Sequence, residues 1–188
     1  MTISGLSPSA TYTLRVGALN WSDQPNYAVA GTTLTPTSNF VWTFAGSGLW
    51  NTATNWTPNG VPSAGSRVTI DATVTVTAGV SAINFFDLTL GDAVGTFSPI
   101  LLVSTAINNG RGMTVNKNAT FTQGVGSALA FSGDVTFLQG SVLNHSLIGT
   151  TPQSRSVNLD VAGTFTLQAG ATAAVSASAT GTGSASTK

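Results

Sequence analysis

Charged residues are scarce in this chain. Lys and Arg together number 6 and Asp and Glu together number 6, so 6% of the 188 residues carry charge, whereas an average soluble domain has about 25%. Glu is absent, and lysine occurs only at Lys117 and Lys188. Because helices carry such residues on their exposed faces, the composition predicts an all-β fold. Six dispersed basic residues also argue against nucleic-acid binding, which requires clustered Lys and Arg.

Cysteine and long apolar runs are missing as well. Without cysteine the chain has no disulfide framework, no thiolate metal site and no cysteine nucleophile. No apolar run reaches the roughly 18 residues of a membrane-spanning helix. The sequence opens without a basic and apolar leader, and its Ala/Thr/Ser/Gly-rich tail ends without a closing turn. We therefore expect a fragment of a longer secreted chain, with its signal peptide upstream.

The first 36 residues have the pattern of a β-hairpin. Tyr12, Leu14 and Val16 alternate with polar residues, which is the period of a strand with one apolar face. Residues 20–26 are rich in turn formers, and residues 27–34 have the composition of a returning strand.

The same segment resembles part of a known family. Gly5-Leu6, Pro8, Thr11-Tyr12-Thr13 and the following Val, Ala and Asn resemble the E–F corner and F strand of a fibronectin type III domain. The resemblance implies that Tyr12 is the corner tyrosine and that residues 1–36 hold the last two strands, with the other strands upstream. A generic hairpin remains the alternative.

Three tryptophans lie close together in the next segment, residues 37–66, which we interpret as a linker and a cap. Trp42, Trp50 and Trp56 stand among Gly, Asn and Pro residues that do not need indoles for their conformation. The indoles must therefore pack against something. We expect an aromatic cap that closes the open end of a stacked-strand domain, and we keep a carbohydrate-stacking platform as the alternative.

The tryptophan segment also resembles the opening motif of β-helical regions in large bacterial surface proteins of the autotransporter and adhesin type. The resemblance rests on Gly48-Leu49-Trp50, Asn55-Trp56, Pro62 and Val68-Thr69-Ile70-Asp71, and it departs from those proteins at Ser66-Arg67, where they usually carry Asp. It implies a parallel β-helix downstream.

Residues 67–188 consist of short apolar-alternating segments punctuated by Gly and Asn, followed by the Gly/Ala/Ser/Thr-rich tail. Gly133–Gly140 aligns with Gly163–Gly170, and residues 145–155 have the pattern of a loop. A loose repeat of short strands is typical of a solenoid of stacked rungs. We predict a parallel β-helix (β-solenoid), with an antiparallel β-sandwich as the alternative.

The residues that could carry chemistry do not form a recognisable site. His145 is the only histidine, and no Gly-x-Ser-x-Gly motif accompanies it. Asp87 with Asp92 is the nearest candidate calcium pair, and stacking of strands could bring Asp134 near Asp160. Thr-x-Thr pairs suggest an ice-binding ladder, but their uneven spacing favours ordinary solvent-facing positions. We therefore expect no catalysis, no metal and no cofactor.

These observations favour a structural and adhesive module of an extracellular or cell-surface protein. One alternative is a carbohydrate-binding β-helix that uses Trp42, Trp50 and Trp56. Another is a self-assembling filament or sheath subunit, since zero net charge promotes association. The expected partners are other copies of the chain or an extracellular polysaccharide, with no nucleic acid and no membrane-spanning segment.

Overall fold

The computed structural model describes residues 11–19, 21–22, 24–34, 38–124, 127–146 and 158–176. The chain divides into two compact units, Met1–Ser38 and Asn39–Lys188. The described part is all-β, as predicted, and its helical content is one 3₁₀ turn, Ala53–Asn55. Within the described residues, no helix has the length and apolar character needed to cross a membrane.

The first unit contains the predicted hairpin. Strand β1 (Thr11–Leu19) pairs antiparallel with β2 (Pro25–Leu34), and the register shifts between Leu14 and Arg15. Nearly every described side chain of the hairpin is exposed, including large apolar ones such as Val16. The hairpin therefore builds no core from its described residues. The Gly5-Leu6 and Pro8 positions of the fibronectin-like pattern lie outside the described residues, as do residues 35–37, where the predicted linker begins.

The second unit is formed by two sheets. Sheet I contains β3 (Ser38–Trp42), β5 (Trp56–Thr57), β6 (Ser66–Ile70), β8 (Ile83–Leu90), β10 (Ala106–Val115), β12 (Ala128–Phe131), β13 (Val135–Phe137), β15 (Asn158–Val161) and β16 (Phe165–Leu167). Sheet II contains β4 (Gly48–Leu49), β7 (Thr75–Ala78), β9 (Ile100–Val103), β11 (Thr120–Gln123), β14 (Val142–Ser146) and β17 (Thr172–Ser176).

From β6 onward the chain passes alternately through sheet I and sheet II. Each strand pairs in parallel with the strand from the preceding pass, as in β6–β8–β10 of sheet I and β7–β9–β11–β14–β17 of sheet II. We call one pass through both sheets a rung, so the rungs are β6–β7, β8–β9, β10–β11, β12–β14 and β15–β17. The antiparallel β-sandwich is therefore the wrong description of this unit, because the strands from β6 onward pair in parallel.

The internal similarity in the sequence corresponds to a strand pairing. Val135 of β13 lies opposite Phe165 of β16 in the aligned segments, and the Thr164 N–H donates to Asp134 Oδ1 across the same separation of 30 residues. The loop predicted from His145 is wrong at its start. His145 belongs to β14, opposite Gln123, because Leu143 is anchored in the core. Residues 147–157 lie outside the described residues.

The core lies between the two sheets and is built from columns of inward side chains. Along sheet I, Ile70, Leu90, Val115 and Phe137 are neighbours across successive strands, and each has an exposed fraction of 0%. In sheet II, Val76, Leu101, Phe121 and Leu143 form the corresponding column. Burying each such side chain contributes about 1.5–3 kcal/mol. The alternation that hides these residues turns the intervening positions outward.

Candidate binding groove

The three predicted tryptophans form one buried cluster. Trp42, Trp50 and Trp56 are 2%, 1% and 2% exposed. The ring of Trp56 meets the other two edge to face, at centroid distances of 5.0 Å to Trp42 and 4.9 Å to Trp50. Its Nε1–H donates a hydrogen bond of 2.7 Å to the Trp50 carbonyl oxygen. The three indoles therefore pack against one another, and a hydrogen bond joins Trp56 to Trp50.

The cluster lies where the two sheets begin. β5 and β4 are the terminal strands of sheets I and II, and Trp50 contacts the core residue Phe85 at a centroid distance of 6.1 Å. This placement agrees with the predicted cap. The stacking alternative is not supported, because Trp42, Trp50 and Trp56 leave no ring face accessible to a sugar.

A second constellation, which the sequence did not reveal, lies on the outward face of sheet I. Arg67, Asp87 and Gly112 are neighbours on β6, β8 and β10. Asp134, the residue before β13, continues this row beside Gly112. We call these four positions the charged column. Arg67 Nε lies 3.5 Å from Asp87 Oδ2, and Asp134 Oδ1 accepts a hydrogen bond of 2.8 Å from the Thr164 N–H.

Gly112 stands where the charged column is tightly packed. A Cβ at this position would lie 3.0 Å from Asp87 Oδ1 and 3.3 Å from the Asp134 carbonyl oxygen. Both distances are shorter than an ordinary van der Waals contact, so the close approach of Asp87 and Asp134 favours glycine here.

Arg111 lies beside the charged column and is held by an aromatic ring. Its guanidinium carbon is 4.6 Å from the centroid of Phe86, which is itself buried. Such a cation–π contact contributes about 0.5–1 kcal/mol at an exposed site. It also limits the motion of a side chain that would otherwise have many rotamers.

Five threonines form a second column next to the charged one. Each lies opposite the next across adjacent strands of sheet I, and all are half-buried. The threonine column consists of Thr69, Thr89, Thr114, Thr136 and Thr166. Its hydroxyl groups repeat at the spacing of adjacent strands, about 4.8 Å. The uneven spacing of Thr in the sequence hides this alignment because the rungs differ in length.

The charged column and four members of the threonine column, Thr69, Thr89, Thr114 and Thr136, line one groove of about 860 Å³. Its charged side chains are Arg67, Asp87, Arg111 and Asp134. Two cations therefore face two anions in a chain with only 6 basic and 6 acidic residues. The groove combines donors, acceptors and hydroxyl groups without a net charge.

The other candidate residues do not come together. Asp92 accepts a 3.1 Å hydrogen bond from the Phe97 N–H, which lowers the pKa of its carboxyl, whereas Asp87 faces Arg67. Asp160 lies opposite Ala130, away from the Asp134 column. Within the described residues, no three His, Cys, Asp or Glu side chains are grouped to hold a metal ion.

His145 is half-buried in sheet II. It lies between Gln123 of the preceding strand and Val175 of the following one, neither of which ionises. Burial lowers the pKa of its imidazole. These strand neighbours supply no carboxylate to orient the ring as a general base.

Comparison with protein-family models, with curated proteins and with solved structures finds no match to this chain.

Proposed function

We propose that this chain is a structural and adhesive module of a large bacterial cell-surface or secreted protein. In this proposal residues 37–66 are a linker and cap, residues 67–188 are a parallel β-helix region with its tail, and the module has no catalytic role. One observation carries the proposal: from β6 to β17, successive strands stack in parallel, in two sheets, over continuous apolar columns.

Such stacking suits a spacer or a display surface. Each rung contacts its neighbours along the axis, so length can be added without redesigning the core. The outward Thr and Asn side chains hydrate through hydroxyls and amides, which explains how the chain remains compatible with water at 6% charge. Among the described residues, His145 and the aspartates have different neighbours and form no common cluster, which supports a role without catalysis.

The hairpin supports the fibronectin type III part of the proposal. Its antiparallel β1 and β2 expose apolar side chains that share a face, such as Leu14 and Val16, at 52% and 61%. A β-sandwich buries such residues against a second sheet. In the proposal, the remaining strands of such a domain supply that second sheet.

Surface labelling of the source bacterium tests the proposed function. Antibodies raised against the chain should label intact cells or the culture medium, with an internal cytoplasmic protein as the control for lysis. Labelling that appears only after the cells are broken would overturn the proposal.

Self-association is a second candidate function, favoured by the last described rung. Phe165 and Leu167 are 43% and 42% exposed, although their strand partners Val135 and Phe137 are fully buried. Within the described residues, the apolar side of sheet I therefore ends on exposed side chains, onto which another copy can stack. Sedimentation velocity should show concentration-dependent association that Phe165→Thr with Leu167→Thr abolishes. A monomer at all concentrations would exclude this candidate.

A further inference from the structure

We propose that the groove on sheet I binds a neutral, hydroxyl-rich glycan chain that runs across the strands. The inference rests on the adhesive part of the proposed function and names its ligand class. The proposed binding groups are the charged column, Arg111 and the threonine column. The buried tryptophans take no part in binding.

The side chains of the groove match the hydrogen-bonding needs of sugar hydroxyls. A hydroxyl both donates and accepts, so it is best satisfied by carboxylate acceptors together with guanidinium donors. Asp87 and Asp134 supply the acceptors, and Arg67 and Arg111 supply the donors. Hydrogen bonds to charged groups are the stronger kind, which favours this pairing over a surface of amides alone.

The balance of charge indicates a neutral ligand. A polyanion would be attracted by Arg67 and Arg111 but repelled by Asp87 and Asp134, and a polycation would meet the reverse arrangement. A neutral polyol gains from all four groups without such a conflict.

The repetition along the groove indicates a polymer. Within the groove, the threonine column presents equivalent hydroxyls on four adjacent strands, about 4.8 Å apart. A chain of linked sugars offers hydroxyls repeatedly along its length, so several contacts can form along one ligand. A flat ice-binding face would need threonine in both columns, but the second column carries Arg67, Asp87 and Asp134.

Two features prepare the groove for a ligand. Glycine at position 112 lets the Asp87 carboxylate and the Asp134 backbone lie close together. The ring of Phe86 holds Arg111 in place before binding. Pre-ordered groups lose less conformational entropy when they bind.

A glycan array tests the inference with the whole chain. The probes are neutral β-linked gluco-, galacto- and manno-oligosaccharides, with heparin and polygalacturonate as polyanions. We expect binding to a neutral series that strengthens with oligosaccharide length. Asp87→Asn with Asp134→Asn, and separately Arg111→Gln, should weaken it by more than about tenfold.

Matched variants outside the groove serve as controls. Asp92→Asn and Arg15→Gln remove the same kinds of charge from other surfaces and should leave binding unchanged. In the groove double variant, the amide oxygen introduced by Asp134→Asn can still accept from the Thr164 N–H, so the native circular dichroism spectrum should be kept.

Several results would overturn the inference. These are binding to no neutral glycan, preference for the polyanions, equal losses in control and groove variants, or ice-crystal shaping by a chain that binds no glycan. If surface labelling succeeds and glycan binding fails, the ligand assignment is wrong and the proposed function stands. Labelling confined to broken cells defeats the proposed function itself.

Discussion

Removing the side chain of Trp56 tests the cap most sharply. Trp56 is 2% exposed, meets Trp42 and Trp50 edge to face, and donates its Nε1–H to the Trp50 carbonyl oxygen. Replacing such a residue with alanine removes its packing and leaves a cavity, which costs about 3–5 kcal/mol. Trp56→Phe keeps most of the ring but leaves a buried carbonyl without its donor, at a cost of about 1–3 kcal/mol.

Urea unfolding followed by far-ultraviolet circular dichroism measures both losses in the free energy of unfolding. Trp21→Ala is the matched control, because Trp21 is fully exposed, and it should change stability by no more than about 0.5 kcal/mol. A loss below about 1 kcal/mol in Trp56→Ala would refute the cap, since a buried Trp costs about 3–5 kcal/mol to remove. The indole would then be free to face a ligand.

Two further predictions concern a glycine and the single histidine. Gly133→Ala places a Cβ 2.5 Å from the Arg111 carbonyl oxygen, so it should destabilise the chain by about 1–3 kcal/mol in urea unfolding. Gly79→Ala makes an ordinary contact with Thr77 and should be tolerated, and equal effects of the two would contradict the strand packing. Burial lowers the pKa of His145 below its ordinary 6.5, so its contribution to stability is full above pH 6.5 and declines as the pH falls through the lowered value. When the pH falls from about 7.5 to about 5.5, the free energy of unfolding should decrease less in His145→Gln than in the parent chain. An equal decrease in both would show that the imidazole is not desolvated.

Sequence patterns predicted the strands that alternate cleanly. β13 (Val135–Phe137) and β16 (Phe165–Leu167) lie inside the two aligned segments, Gly133–Gly140 and Gly163–Gly170. Their apolar positions recur every second residue and point to one side of the strand. Such local signals do not depend on which strand lies alongside.

Sequence patterns failed where a strand carries turn-forming residues. β10 (Ala106–Val115) contains Asn, Gly and Arg and was not predicted. A Cβ on Gly110 would lie 2.7 Å from the ring of Phe131, so a neighbouring rung requires glycine there. This requirement comes from tertiary packing and cannot be read from β10 alone.

The groove was invisible in the sequence for a related reason. The separation between neighbouring rungs ranges from 20 residues between Arg67 and Asp87 to 30 between Asp134 and Thr164. With unequal rungs, no fixed period brings the two columns together. The Trp cluster was easier to predict because its members are close in sequence.

Cysteine cross-linking tests the parallel register most directly. Thr136 and Thr166 are outward neighbours on β13 and β16, at the strand spacing of about 4.8 Å, which lies within the Cα range that a disulfide needs. The chain has no cysteine of its own. Arg155 lies between the two positions in the sequence, so trypsin separates them unless a disulfide joins the fragments.

Under mild oxidation, Thr136→Cys with Thr166→Cys should yield disulfide-joined tryptic fragments by mass spectrometry. Thr136→Cys with Phe165→Cys should not, because adjacent residues of a strand point to opposite faces. Cross-linking of the second pair in place of the first would contradict the stacking of rungs on which the account depends.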